Sequence, residues 1–354
     1  MVFDWTLPAR SERYVFEQLD LNLRRVGAFT GVKSCQLDWS IYNAVRGSGD
    51  LDVRTPRPVV WARTIIRPWV MISNRSGRTM VPLMTALCKI PDEDWSTPAG
   101  VNASVQLHDR TRILEEWLLD DVFSLADGTN ITGAILTILE ELQVGRVNLT
   151  HGTRVLSGAK TWLPNDGEPV SWLRVINDLC DMAGYFGIWT DAMGVFQITP
   201  YVNPSDRIPS WRLADDRASN RYRSLRIQNN RPIPYNQWVA WSKAREDVEA
   251  LRYLATNDDP AHPYSTVSQG RVVSAPTEID VEGDVSTYIR RRKAEGMADQ
   301  QTFSLEARFV PVLEHDVVEL VNHRAGVDSL ASVAGRSLRC EPGSKVDLTL
   351  RKVT

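Results

Sequence analysis

The spacing of apolar residues changes period twice along this chain, and no other feature limits its fold as strongly. Val101-Asn102-Ala103-Ser104-Val105-Gln106-Leu107 alternates apolar with polar, the pattern of a half-buried strand. Tyr14 to Leu23 ends in the same strict alternation, and Val32 to Trp39 follows it in part. Gly47-Ser48-Gly49 ahead of Leu51 and Val53 predicts a turn feeding a strand. Val59 to Ile72 is aromatic and β-branched, with Pro58 and Pro68 placing it at edges or bends. Many short strands at this spacing predict a barrel or a sandwich. From Ile131 the period becomes helical. Ile131, Ala134, Ile135, Ile138, Leu139 and Leu142 share one face, with Thr129 or Asn130 as the N-cap. Trp172, Val175, Ile176, Leu179 and Met182 form a second such face within Val170 to Ala183, entered at Pro169 and closed by Gly184. Residues 185–199 then read as a hairpin turning at Asp191-Ala192-Met193-Gly194. Strand patterns return in the aromatic Tyr235 to Trp241, in Phe303 to Ala307, in Asp316 to Val321 and in Val346 to Val353. One short helix, near 284–297 with Asp284 as its cap, interrupts them. The order is β, then α/β, then β, with no exact repeat.

A chain of 354 residues predicts two or three domains, and 43% apolar with 24% charged residues supplies a core and argues against disorder. The 41 basic and 44 acidic side chains leave a net charge of −3, which gives no strong field toward nucleic acid or membrane. Uncharged stretches such as Ala192 to Ser205 fall short of the roughly 18 residues of a membrane span. Met1 to Arg10 lacks the basic-then-apolar order of a secretion signal, so no cleaved leader is expected. Arginine outnumbers lysine 34 to 7, as a GC-rich genome would produce. Cys35, Cys88, Cys180 and Cys340 stand far apart and are expected as free thiols.

The search for catalytic chemistry is negative: the chain holds no GxSxG, GxxxxGK, GxGxxG, HExxH or CxxC. Of the five histidines, His315 and His323 invite a metal reading, but no third ligand is implied. Glu278, Asp280, Glu282 and Asp284 faintly echo a calcium loop, yet Ile289 stands where the bidentate Glu belongs, so a strand with an acidic outer face is expected. Arg290-Arg291-Arg292-Lys293 reads as a solvated helix face, or as a contact with DNA phosphates or an acidic partner. The 12 tryptophans, including Trp61, Trp69 and Trp172, are expected mostly in the core, with an exposed subset free for glycans or a protein interface. The expectation is of no catalytic, cofactor-binding or metal-binding residue.

Four segments nevertheless occur in a meaningful order. Val45-Arg46-Gly47-Ser48-Gly49-Asp50-Leu51-Asp52-Val53 resembles the "xxGSGxLxV" segment of tail hub proteins from long-tailed phages. Ile65-Ile66-Arg67-Pro68-Trp69-Val70 is similar to their "xxRPWxx" strand, and Ser104 to Leu114 to their strand ending "LxDxxxxL". Asp127-Gly128-Thr129-Asn130-Ile131 resembles the "GTNVxxAV" entry to their inserted domain. The resemblance covers most of the chain and points to the tail hub, or baseplate hub, family shared with contractile tails.

The resemblance implies an α+β fold with two β-barrel-like domains, 1–114 and 216–354, around a small α/β domain at 115–215. It implies a homotrimer whose six similar barrels make a pseudo-six-fold ring on a six-fold tail tube. The expected partners are distal tail and tail tube proteins, other tail-tip proteins, the tape-measure protein and DNA in transit, without stable membrane insertion. The expected location is the virion tail tip, after assembly in the host cytoplasm. Many relatives continue into a lysin or receptor-binding module, whereas this chain stops at Thr354, so a hub without an attached enzyme is expected. Two other readings are a glycan-binding tail protein and a glycan hydrolase using Asp120 and Asp121 or Glu140 and Glu141. Adjacent carboxylates diverge on a strand or a helix, so neither pair flanks a bond well.

Overall fold

The computed structural model describes residues 3–7, 9–56, 58–95, 100–216, 220–229, 234–242, 250–281, 284–298 and 301–353. The first region contains β1 (Ser11–Leu19), β2 (Arg25–Phe29), β3 (Val32–Ser40), β4 (Gly47–Thr55) and β5 (Ile65–Asn74). It continues with β6 (Gly77–Pro82), β7 (Ala86–Cys88), β8 (Glu93–Asp94) and β9 (Val101–His108). The middle folds as α1 (Thr111–Glu116), β10 (Phe123–Leu125), α2 (Ile131–Glu141), β11 (Val147–Leu149), β12 (Lys160–Trp162), α3 (Trp172–Ala183), β13 (Trp189–Thr190) and β14 (Phe196–Ile198). After β15 (Trp211–Ala214) and β16 (Asn220–Asn229) come β17 (Gln237–Ser242), β18 (Arg252–Thr256), α4 (Thr266–Gln269), β19 (Glu278–Val281) and α5 (Val285–Ala298). The chain ends with β20 (Gln301–Arg308), β21 (Val317–Asn322), β22 (Val327–Arg339) and β23 (Lys345–Lys352). The fold is a β-rich α+β fold.

One fifteen-stranded sheet joins both β-rich regions, in the order β2-β1-β5-β7-β9-β4-β3-β22-β21-β15-β16-β20-β23, with β6 on β5 and β8 on β9. A further pairing of β22 with β23 closes β22, β21, β15, β16, β20 and β23 into a cycle. The long strand β22 makes this possible by changing partners. Its residues Val327 to Ser332 pair with β21, and Gly335 to Arg339 pair with β3, across a bulge between Val333 and Gly335. Leu37, Leu51 and Leu107 from the first region therefore share one apolar core with Leu320, Leu348 and Leu350 from the last.

The middle segment has its own core, in which Ile135, Ile138 and Leu139 of α2 meet Val175, Ile176 and Leu179 of α3. Asn130 caps α2, its side chain accepting from Gly133 N at 2.8 Å. Ser171 caps α3, and Gly184 ends it in the left-handed region at φ 73°. The hairpin turn falls where it was expected, with Gly194 N donating to Asp191 O at 2.9 Å. A third, small core joins Trp238 and Ala240 of the sheet β18-β17-β19 to Val285 and Ile289 of α5. Asp284 caps α5 by accepting from Thr287 N at 3.1 Å.

Three local expectations are corrected. Alternation through Leu23 does not continue the strand: β1 stops at Leu19, because the Asp20 carboxylate takes the Asn22 and Arg24 N–H groups and folds a turn. Gly47-Ser48-Gly49 is no turn but the start of β4, where glycine permits close backbone approach. Pro68 does not mark a sheet edge. It lies inside β5, opposite Phe16, where the other side of the strand passes from β7 to β6.

Candidate functional site

Charged side chains gather where the middle segment meets the sheet. Arg67 of β5 and Arg110 beside α1 are both 5% exposed, and each bonds the hairpin between β13 and β14. Arg67 donates to Met193 O at 3.0 Å and to Thr85 Oγ1 at 2.9 Å, while Thr85 Oγ1 donates to Ala192 O. Arg110 donates to Gly194 O and Val144 O at 2.5 and 2.6 Å. Arg46 adds a bond to Gly187 O at 2.8 Å. Asp109 is buried between them and accepts from Gly47 N, Thr111 N and Thr111 Oγ1. Burial holds the Asp109 carboxyl above its ordinary range, and it pushes Arg110 down to about 10, followed by Arg146 and Arg67. The guanidiniums of this dry seam bond main-chain carbonyls of the middle segment, and Arg67 also pairs with Glu17 at 3.5 Å.

The sequence reading passed over these residues. Arg46, Arg67 and Asp109 all stand inside the hub-like segments, and a charged residue interrupting a strand pattern was the available signal. What it joins is set by the fold.

His315 sits at the same junction but on the far side of Arg46. It has φ 70°, and its Nε2 lies 3.0 Å from Arg46 Nη1. A guanidinium only donates, so Nε2 accepts and the imidazole is neutral. Its ring packs 4.2 Å from Phe186, and Phe186 packs 5.1 Å from Tyr201. Burial, then Arg46, Arg351, Arg207 and Arg291, hold His315 down to about 2. His323 is engaged elsewhere, its Nδ1 2.6 Å from Asp215 Oδ1. The two histidines thus have different partners, and no group of metal-ligating side chains occurs among the described residues.

The basic run and the acidic strand, read separately from sequence, meet each other. Arg292 reaches Glu278 Oε1 at 2.6 Å, and Tyr288 donates to Glu278 Oε2 at 2.6 Å. Arg291 pairs with Glu295 at 2.8 Å and with Asp181 of α3 at 3.0 Å, and Lys293 donates to Thr256 O. Arg290 is exposed. The run is therefore a docking face for β19 and α3 and only in part a solvated one. The acidic outer face expected of β19 is corrected as well: Glu278 turns toward α5, while Ile279 is 72% exposed. Glu282 and the side chain of Asp280 lie outside the described residues. A cleft of about 330 Å³ remains between α3 and α5, lined by Arg154, Asp181, Asp284, Tyr288 and Arg291. Asp178 and Glu278 line it too, and two ion pairs lie along it, Arg291 with Asp181 at 3.0 Å and Arg154 with Asp284 at 3.9 Å.

Asp120, Asp121, Glu140 and Glu141 are exposed and line none of the described clefts. Among the large apolar side chains, Trp95 and Trp117 are 60% and 47% exposed, whereas Trp39, Trp61, Trp162 and Trp238 are buried. Cys35, Cys180 and Cys340 are buried and Cys88 is half-buried.

No protein-family model and no curated protein sequence matches the chain. Its fold is similar to that of the tail protein from Neisseria meningitidis MC58, at TM-score 0.66 and 13% identity, covering 96% of each chain. The 43 kDa tail protein of prophage MuSo2 from Shewanella oneidensis gives TM-score 0.65 at 12% identity, over 97% of this chain and 98% of that one. An Escherichia coli type VI secretion component, described as similar to the T4 bacteriophage tail proteins gp27 and gp5, gives 0.53 at 11% identity over 91% and 73%. Over nearly all of its length, the chain has the fold of these two tail proteins.

Proposed function

We propose that the chain is a structural tail hub: a trimer closing the distal end of a phage tail tube, joining tube to tip proteins and passing the tape-measure protein and then DNA. The observation that carries this reading is the fold likeness to two tail proteins over nearly the whole of both chains. Two further features support it. The closed strand cycle of the C-terminal region, with the sheet formed by β1 to β9, suits two barrel-like domains presenting two similar faces to a ring. The arginine seam holds the middle segment against the sheet, which gives a ring subunit a fixed shape. In this reading the domains are 1–114, an inserted 115–215 and 216–354, with β15 paired into the last of them. The protein acts by shape and assembly, not catalysis, in the virion at the tail tip after assembly in the host cytoplasm.

Native mass spectrometry of the chain incubated with isolated tail tubes is the test. Three copies of the 39.9 kDa chain per tube end are expected. Tubes that retain none of it, or another copy number, would overturn the proposal.

A further inference from the structure

Two cysteines face each other where the first and last β regions join. In the antiparallel pairing of β22 with β3, Leu338 lies opposite Leu37 and Arg339 opposite Gln36; one step further, Cys340 N donates to Cys35 O at 2.8 Å. Gln36 Nε2 and Ser337 Oγ bond each other on one side of this ladder. Leu37, Leu338, Cys35 and Cys340 turn to the other side, into the shared apolar core. The two thiols lie within hydrogen-bond reach of each other. Opposed residues of antiparallel strands have Cα atoms about 4.5–5.5 Å apart, inside the roughly 4.4–6.8 Å that a disulfide spans. Cys35 is 1% exposed and Cys340 8%, so Cys340, just past the end of β22, is the thiol a small oxidant meets first. Tyr14 packs against the same core near both sulfurs, and its hydroxyl is a buried group without a hydrogen-bond partner among the described residues. A donor of this kind can stabilise a thiolate as it forms. Cys88 stands apart on β7, and Cys180 lies in the separate core of α2 and α3.

We propose that Cys35 and Cys340 form an oxidisable dithiol, a modification site that a peroxide closes into a disulfide locking β22 to β3. The peroxide oxidises the Cys340 thiol to a sulfenic acid, its O–O bond breaking and one oxygen leaving as water. The Cys35 sulfur then attacks the Cys340 sulfur. The S–S bond forms, and the sulfenic hydroxyl leaves as a second water with the Cys35 proton. Two electrons pass from the two sulfurs to the peroxide. The new bond closes a loop that holds most of the chain, which raises stability by constraining the unfolded state. Opposed Cβ atoms stand about 4.5–5.5 Å apart, against roughly 3.5–4.5 Å in a disulfide, so closure draws the strands together and leaves a bond that reductants reopen. That the chain meets oxidants on leaving a reducing cytoplasm in a virion rests on the role proposed above; the chemistry of the pair does not.

The test treats the full chain, purified with dithiothreitol and then freed of it, with dilute hydrogen peroxide. Two of the four thiols should disappear when titrated in urea, and peptide mapping should find the Cys35 and Cys340 peptides joined. The urea midpoint should rise, and dithiothreitol should restore all four thiols and the original midpoint. Cys88→Ser should lose the same two thiols, and Cys340→Ser should lose none. Four thiols retained, loss as sulfinic or sulfonic acid, linkage to Cys88, to Cys180 or between chains, or a midpoint that does not rise would each overturn the proposal. None of these readouts involves tail tubes, so the dithiol and the hub role can fail separately.

Discussion

A methyl group has no room at Gly49. A Cβ built there would lie 2.3 Å from Gln36 O and 3.0 Å from a Leu37 methyl, so strands β3 and β4 would have to part. Gly49→Ala should cost about 1–3 kcal/mol, read as a lower urea midpoint, whereas Gly27→Ala, with nothing within 4 Å, should move it little. His315 makes a second prediction, with a definite sign. Its folded pKa is depressed to about 2 from 6.5, so the unfolded chain binds the extra proton. The stability contribution is complete above pH 6.5 and is lost as pH falls below it, at up to about 1.4 kcal/mol per pH unit. Comparing urea unfolding at pH 7, 6 and 5, His315→Gln should show a shallower acid loss than the unaltered chain. Equal slopes would mean that the imidazole is already charged in the folded protein.

Among the elements, α5 depends most on charge. Its apolar core is small, and Arg292, Tyr288 and Glu278 tie it to β19. Glu278→Gln should speed amide exchange across 285–298 and leave β4 and β9 unchanged. Uniform change, or none, would show that the small core alone holds the helix. The helices were the most readable elements of the chain. Asn130 and Gly184 take their expected capping places, because a cap is a local hydrogen bond between near neighbours in sequence. The strands were less readable. Leu19 and Leu21 belong to one alternating pattern, yet only Leu19 is in a strand, since the Asp20 turn competes successfully for the backbone N–H groups.

For the molecule as a whole, the arginine seam is the feature that couples separate cores. Arg110→Met would leave the Gly194 and Val144 carbonyls unpaired in a dry site, at roughly 1–3 kcal/mol for each. Scanning calorimetry should then resolve an earlier transition from the middle segment, whereas a single transition is expected for the unaltered chain. A variant that still melts in one step would show that apolar contact couples the segments without the arginine.

The sequence by itself determined the periods, and with them the β, α/β, β order, the two amphipathic helices, their caps and the likeness to tail hubs. These depend on side chains a few positions apart. Only the tertiary structure decided that β22 would serve both β21 and β3, that the basic run would meet Glu278 and Asp181, and that Arg46, Arg67 and Arg110 would hold one hairpin. Arg67 and Met193 are 126 residues apart, and Arg46 and His315 are 269 apart. Charge and hydrogen-bonding capacity are properties of a residue, but a partner at such a separation is chosen by how the sheet closes.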